Sequence, residues 1–173
     1  MNKKRFLLSS LMLLAYHSVA LADSMQVKIY ELEKNDIKKP IGMMEIEENS
    51  HGLIFTPNLS GLPEGLHGFH LHDNPSCDMK DGVVGATAGG HYDPEHTDKH
   101  LGPYNTYGHL GDLPALYVDD KGQSTMSVLA PRIKNLSEIK GHSLIIHLGG
   151  DNQSDHPLPL GGGGARLACG IIE

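Results

Sequence analysis

Positive charge and cysteine are both scarce in this sequence. Its 173 residues carry 14 lysines and arginines against 21 aspartates and glutamates, and only two cysteines, Cys77 and Cys169. A formal net charge of −7 makes nucleic acid and an anionic membrane surface poor partners. Beyond the first 22 residues no segment is apolar enough to cross a bilayer. Internal repeats, low-complexity linkers and convincing helical periodicity are absent too, which leaves one domain of short strands as the simplest organisation. The run Gly161 to Gly164 is followed by no Lys-Ser/Thr pair and no helix signal, so it is not a phosphate loop. Strand-like Arg166-Leu167-Ala168-Cys169 follows almost at once, so it is not a linker either. It reads as backbone packed closely against a site.

Residues 1–22 have the anatomy of a cleaved secretory signal peptide. Lys3-Lys4-Arg5 is the positive region, Phe6 to Leu14 the apolar one, and Ala20-Leu21-Ala22 a small-x-small cleavage site before Asp23. Ser9, Ser10, His17 and Ser18 dilute the run below the roughly 20 apolar residues a membrane span needs. No cysteine marks a lipoprotein anchor at the cleavage site. Cleavage leaves residues 23–173, a length that suits a single domain with one core. It removes three basic residues and no acidic one, taking the net charge from −7 to −10. An anionic substrate is then repelled on average and needs a local positive patch. In a secreted chain the two cysteines are expected to form one disulfide. In the chain-entropy model, closing the 92-residue loop between them stabilises by about 4–5 kcal/mol. The alternative, two free thiols serving as metal ligands, fits a reducing compartment, and the leader argues against one.

Short alternating segments rich in Val, Ile, Thr, Tyr and Phe, bounded by Gly, Pro, Asn and Asp, predict strands at 25–33, 41–48, 52–59, 65–72, 115–119, 123–130, 142–148 and 165–172. Eight strands without a helix predict an all-β antiparallel sandwich or barrel. Leu136 to Lys140 is predicted to make one helical turn. Residues 73–114 and 149–164 break the rhythm as two long loops, which in a compact domain are usually functional.

Histidines concentrate around those loops. In a strand, residues two apart share a face, so His70 and His72 project together while Phe69 and Leu71 anchor the opposite face in the core. His147 has the same setting, with Leu144, Ile146 and Leu148 opposite it. His67, three residues before His70, points the other way and reads as a hydrogen-bonded structural histidine. His91, His100, His109 and Asp112 offer three nitrogens and one oxygen from one loop, a complete tetrahedral shell for zinc with no position left for water. Hydrolysis is thereby disfavoured. The set His70, His72, His91 and His147 is all imidazole, which suits copper. A redox metal beside a structural one, sharing His91, is the implied chemistry. His51, His96, His142 and His156 receive no role, and His51, His142 and His156 read as surface or turn residues.

At this point the chain resembles the bacterial copper-zinc superoxide dismutases. The matching stretches are Gly65 to His72, Asn74 to Cys77, Gly89 to Pro94, Gly108 to Pro114 and Leu160 to Ile171. The resemblance implies an eight-stranded Greek-key β-barrel, a flattened immunoglobulin-like sandwich, with its metals outside the barrel under two long functional loops. It implies disproportionation of superoxide anion to dioxygen and hydrogen peroxide, with one copper and one zinc per subunit. By the same resemblance His70, His72, His91 and His147 are copper ligands, and His91, His100, His109 and Asp112 zinc ligands. His91 is the bridge and carries a proton during turnover. Arg166 stands beside the copper, and Asp151 hydrogen-bonds His70 and His100 from outside the ligand shell. The Cys77–Cys169 disulfide ties the first loop to the last strand and helps hold Arg166. A periplasmic location, no membrane contact after signal cleavage, and a monomer or homodimer are also implied.

A periplasmic copper- or zinc-binding store without redox turnover is the alternative. Such a store has no need of a shared histidine or an arginine beside the copper, and Met25, Met43, Met44, Met79 and Met126 form no methionine cluster for Cu(I). Asp151 to Arg166 contains no lysine, so the charged steering loop of the animal enzymes has no counterpart. Lys80, in the disulfide-tethered loop, is the expected substitute. Lys80→Ala should flatten the ionic-strength dependence of superoxide decay, and an unchanged salt slope would refute that role.

Overall fold

Strands, interrupted by two long loops, make up the fold of a computed structural model that describes residues 23–34 and 38–173. The leader expected over residues 1–22 lies outside the described residues. Ten strands occur among those described: β1 Ser24–Leu32, β2 Lys38–Asn49, β3 Gly52–Ser60, β4 Gly65–His67, β5 Phe69–His72, β6 Leu116–Val118, β7 Gln123–Ser124, β8 Val128–Ala130, β9 Ser143–His147 and β10 Arg166–Ile171. The curled main sheet runs β5-β9-β10-β1-β2-β3-β7, with β8 also on β3, and β4 pairs with β6 apart from it. Every pairing is antiparallel. This is the all-β barrel architecture predicted from the alternating segments.

Two predicted strands each break in two. Residues 65–72 split at Gly68, so that β4 joins β6 while β5 joins β9. At the break Gly68 N–H donates to the Gly149 carbonyl at 2.8 Å, and the Gly68 carbonyl accepts His147 N–H at 2.8 Å. Residues 123–130 split because residues 125–127 leave the β3 ladder between β7 and β8. The predicted helical turn is a short 3₁₀ turn, Leu136–Glu138, closed by a capping box between Asn135 and Glu138.

Alternation fills the core. Val27 and Ile29 of β1, Met44 and Ile46 of β2, Leu53 and Phe55 of β3, Phe69 and Leu71 of β5, and Leu144 and Ile146 of β9 are all buried in one cluster. Phe55 and Phe69 meet edge to face at its centre, 5.6 Å between ring centroids. Leu148 departs from the expected pattern: β9 ends at His147, and Leu148 is 53% exposed instead of joining the core.

β5 and β9 are buried on both faces. Their inner face holds the core. Their outer face carries His70, His72, Ser143, Ile145 and His147, covered by the two long loops. Ile145 packs there with Ala88 and the Cys77–Cys169 disulfide. The first loop also extends the sheet past β5. Leu71 N–H donates to the Gly111 carbonyl at 2.9 Å, and Tyr92 N–H donates to the Leu71 carbonyl at 2.8 Å. Gly111 is required there, since a Cβ would lie 2.3 Å from the Leu71 carbonyl oxygen.

One irregularity matters for function. β10 pairs with β9 through Arg166↔His147 and then Ala168↔Ile146, so Leu167 is an extra residue in the ladder. A one-residue slip exchanges the faces of a strand. Leu167 consequently packs on the core, and Arg166 emerges on the outer face beside His147. For the core, Phe55→Ala should lower unfolding free energy by about 3–5 kcal/mol in chemical denaturation. A loss below about 1 kcal/mol would mean that the Phe55–Phe69 contact is not central to the fold.

Candidate metal centre

Seven buried side chains from the first loop and two strands converge on the outer face: His70, His72, His91, His100, His109, Asp112 and His147. β5 supplies His70 and His72, and β9 supplies His147. His91 is brought alongside by an isolated bridge to His72, and Asp112 by a bridge to His70.

They form two sets that share His91. In His70, His72, His91 and His147 one ligand atom from each lies within 4.8 Å of the others. His70 Nδ1, His72 Nε2, His91 Nε2 and His147 Nε2 are buried and have no hydrogen-bond partner. The opposite nitrogen is engaged in all four rings, that of His91 by Asp112 Oδ1 at 3.0 Å. His70 Nε2–H donates to Asp151 Oδ2 at 2.8 Å, His72 Nδ1–H to the Gly89 carbonyl at 3.0 Å, and His147 Nδ1–H to the Gly164 carbonyl at 3.2 Å. Those bonds fix the tautomers and turn four lone pairs toward one point. Leaving four polar atoms unpaired costs free energy unless a cation takes the lone pairs, and an all-imidazole set fits copper.

The second set, His91, His100, His109 and Asp112, satisfies the same 4.8 Å criterion. Its three Nδ1 atoms surround Asp112 Oδ1 at 3.0, 2.9 and 3.3 Å respectively. Asp112 Oδ2 accepts from Leu101 N–H at 3.1 Å and Gly102 N–H at 3.2 Å, which leaves Oδ1 for the cluster. Three imidazoles and one carboxylate fit zinc. His91 therefore presents Nδ1 to one set and Nε2 to the other.

Asp151 spans both sets. Its Oδ2 accepts from His70, and its Oδ1 accepts from His100 Nε2–H at 2.7 Å. The four-glycine run packs on this carboxylate. A Cβ at Gly161 would sit 2.1 Å from Asp151 Oδ1, and one at Gly163 would sit 3.1 Å from the His147 ring. Arg166, half-buried, donates from Nη1 to the Gly85 carbonyl and from Nη2 to the Gly89 carbonyl. Gly89 thus anchors both the guanidinium and His72. His67 is buried away from the cluster, its ring nitrogens 2.8 Å from the His147 and Pro63 carbonyl oxygens.

Three contributors carry no signal in the sequence. Asp155 Oδ2 accepts from His100 N–H at 2.9 Å. Arg132 donates to the carbonyls of Gly108 and His109. His142 is half-buried rather than a surface residue, its ring 4.1 Å from that of Tyr92 and its Nδ1–H donating to the Asp73 carbonyl at 2.9 Å. Nothing in their spacing marks them, because all three act on backbone or rings distant in sequence. His51, His96 and His156 are exposed, as is Lys80 on the turn between Lys80 and Val83.

The family model for copper/zinc superoxide dismutase (SODC) matches residues 41–172. The chain belongs to the copper/zinc superoxide dismutase family. It is an oxidoreductase acting on superoxide, with copper and zinc as its metals. The copper-zinc superoxide dismutase of Actinobacillus pleuropneumoniae is 55% identical over 155 residues, covering 87% of this chain and 82% of that protein. That of Photobacterium leiognathi is 50% identical over 177 residues and covers 100% of both. The solved structure of the Brucella abortus Cu/Zn enzyme superposes with a TM-score of 0.83 at 51% identity, covering 87% of this chain and 100% of that one.

Electrostatics divide the centre in two. Burial is the main cause of a depressed His70, at about 3, and His147, at about 4, against an ordinary 6.5, and it pushes His72 down as well. Neutral imidazole is the form that binds a metal. Burial also opposes charge on His100, but its bonds to Asp112 and Asp151 outweigh that and raise it to about 9. Burial favours neutral Asp112 too, yet the contacts with His100, His109 and His91 hold it far below the carboxylate range. For the metal-free protein the signs follow by linkage. The stability tied to neutral His70, His72 and His147 is present above 6.5 and lost as the pH falls toward 4. That tied to charged His100 is complete below 6.5 and lost as the pH rises through about 9. Chelator-treated protein should therefore melt at its highest temperature near pH 6.5. A melting temperature that climbs steadily to pH 9 would contradict this balance.

Proposed function

We propose that this chain disproportionates superoxide in the periplasm at one composite centre. His70, His72, His91 and His147 hold copper there, and His91, His100, His109 and Asp112 hold zinc. The observation that carries the assignment is His91, whose two nitrogens face two different ligand sets. When bound, copper supplies one-electron exchange with superoxide, and zinc supplies a fixed charge on the far side of His91.

The chain's own residues do the rest. Arg166 carries a guanidinium, charged at any physiological pH, to the rim of the four-nitrogen pocket. Its bonds to Gly85 and Gly89 and its place opposite His147 aim it. In a chain of net charge −7 this local positive potential attracts an anion that the rest of the surface repels. His91 Nε2 faces the same pocket without a protein partner, so a proton held on that atom lies within reach of the bound anion. Two superoxide anions and two protons leave as dioxygen and hydrogen peroxide. Asp151 keeps His70 and His100 in register across the two sets. Supporting the periplasm are the leader anatomy of residues 1–22 and a Cys77–Cys169 disulfide that needs an oxidising compartment.

The test is superoxide decay followed directly with protein recovered from the periplasmic fraction, its amino terminus at Asp23 and its copper site full. The native protein should accelerate decay, and His91→Ala at equal copper content should lose at least about a hundredfold, the low end for a positioned proton donor. No acceleration above buffer by the native protein would refute the enzyme reading in favour of metal storage.

A further inference from the structure

The zinc-side ligands His109 and Asp112 come from one turn, and the backbone bonds that close the turn on itself are long. Asp112 N–H reaches the His109 carbonyl at 3.4 Å, and Gly108 N–H reaches the Asn105 carbonyl at 3.5 Å, both at the long limit of a hydrogen bond. Short backbone bonds tie the turn to the rest of its loop, His109 N–H to the Lys99 carbonyl at 2.9 Å and Gly111 N–H to the Tyr92 carbonyl at 2.8 Å, and the Gly108 and His109 carbonyls are held from the barrel. Arg132 Nη1–H donates to the His109 carbonyl at 2.8 Å, and Nη2–H to the Gly108 carbonyl at 2.9 Å. Arg132 follows β8, and the next residue, Ile133, is buried in the core with its carbonyl accepting Leu53 N–H at 3.0 Å. The guanidinium is thus mounted on the rigid barrel and grips two consecutive carbonyls of the loop.

We propose that Arg132 is a positioning residue for the zinc site: its two-pronged clamp on Gly108 and His109 places the His109 ring and Asp112 for the metal. This rests on the reading above that His91, His100, His109 and Asp112 hold zinc. Arg132 does not touch the metal or the substrate. Two effects of the residue oppose each other. Its charge, by itself, repels a dication, whereas its fork geometry orders the ligands. A lysine keeps the charge but offers no planar fork, and a methionine keeps an apolar stem with neither.

Zinc affinity measured by competition with a chromophoric chelator, on protein stripped of both metals, separates these effects. Arg132→Met and Arg132→Lys should each weaken zinc binding by about 10–100-fold, the range for residues that orient metal ligands. The copper-site spin-resonance spectrum with one equivalent of copper should stay unchanged. His109→Ala is the reference and should lose zinc more severely. Unchanged zinc affinity in both Arg132 variants, or a tighter site in Arg132→Met with a native-like Arg132→Lys, would overturn the proposal. Equal weakening of zinc and copper would overturn it too, because that marks general destabilisation. If only one of the two variants folds, its zinc affinity and copper spectrum decide on the same terms. Native zinc affinity in His109→Ala would instead overturn the zinc assignment itself. Loss of zinc in His109→Ala with native affinity in the Arg132 variants would leave that assignment standing and remove only the clamp.

Discussion

Four imidazole nitrogens, from His70, His72, His91 and His147, meet in one buried pocket with nothing in the protein to satisfy them. A fold ordinarily pairs its buried polar atoms, and leaving one unpaired is expensive. Here the surrounding structure works to keep four of them unpaired and neutral. Asp151 and the carbonyls of Gly89 and Gly164 take the protons of the opposite ring nitrogens in His70, His72 and His147, so those lone pairs are turned inward. Burial does the rest by suppressing the charged imidazolium. The pocket suits a cation because no group of the protein satisfies those atoms.

That constraint explains the arrangement of the barrel and its loops. β5 and β9 are buried on both faces, so the histidines on their outer face cannot swing toward solvent. The first loop returns along β5 through Leu71, Tyr92 and Gly111, carrying His91 and Asp112 into place as if it were a further strand. Glycines stand where backbone must approach the cluster: Gly161 on Asp151, Gly163 on His147, Gly111 on Leu71. The disulfide packs beneath the same loop, and Arg166 closes the circuit by binding Gly85 and Gly89, the latter already bound to His72. The His72 ring and the Arg166 guanidinium therefore share one carbonyl.

In the metal-free protein the two halves of the centre are also unlike in charge. The four-nitrogen side favours neutral rings, whereas His100 on the other side is held charged by Asp112 and Asp151. His91 lies between them. Its Nδ1 faces the carboxylate of Asp112, and its Nε2 faces the neutral pocket.

Strand parity makes much of this arrangement legible in the sequence. Phe69 and Leu71 in the core imply His70 and His72 outside it, because side chains alternate across a pleated strand. The spacing of His91, His100, His109 and Asp112 within one loop is readable as a ligand set for the same reason that local motifs usually are: the loop is contiguous. Local chemistry of this kind is a property of the sequence itself. Relations between distant segments are not. The bulge at Leu167 puts Arg166 on the outer face, although parity counted back from Cys169 would turn it inward. The end of β9 leaves Leu148 in solvent where alternation places it in the core. The break at Gly68 sends β4 and β5 to different partners, and Arg132, Asp155 and His142 reach across the chain to groups that no spacing rule connects to them. Sequence alone determined which atoms could bind a metal and which strand faces would carry them. Only the tertiary structure decided how those faces meet, because that depends on ladder register and on hydrogen bonds between residues many positions apart.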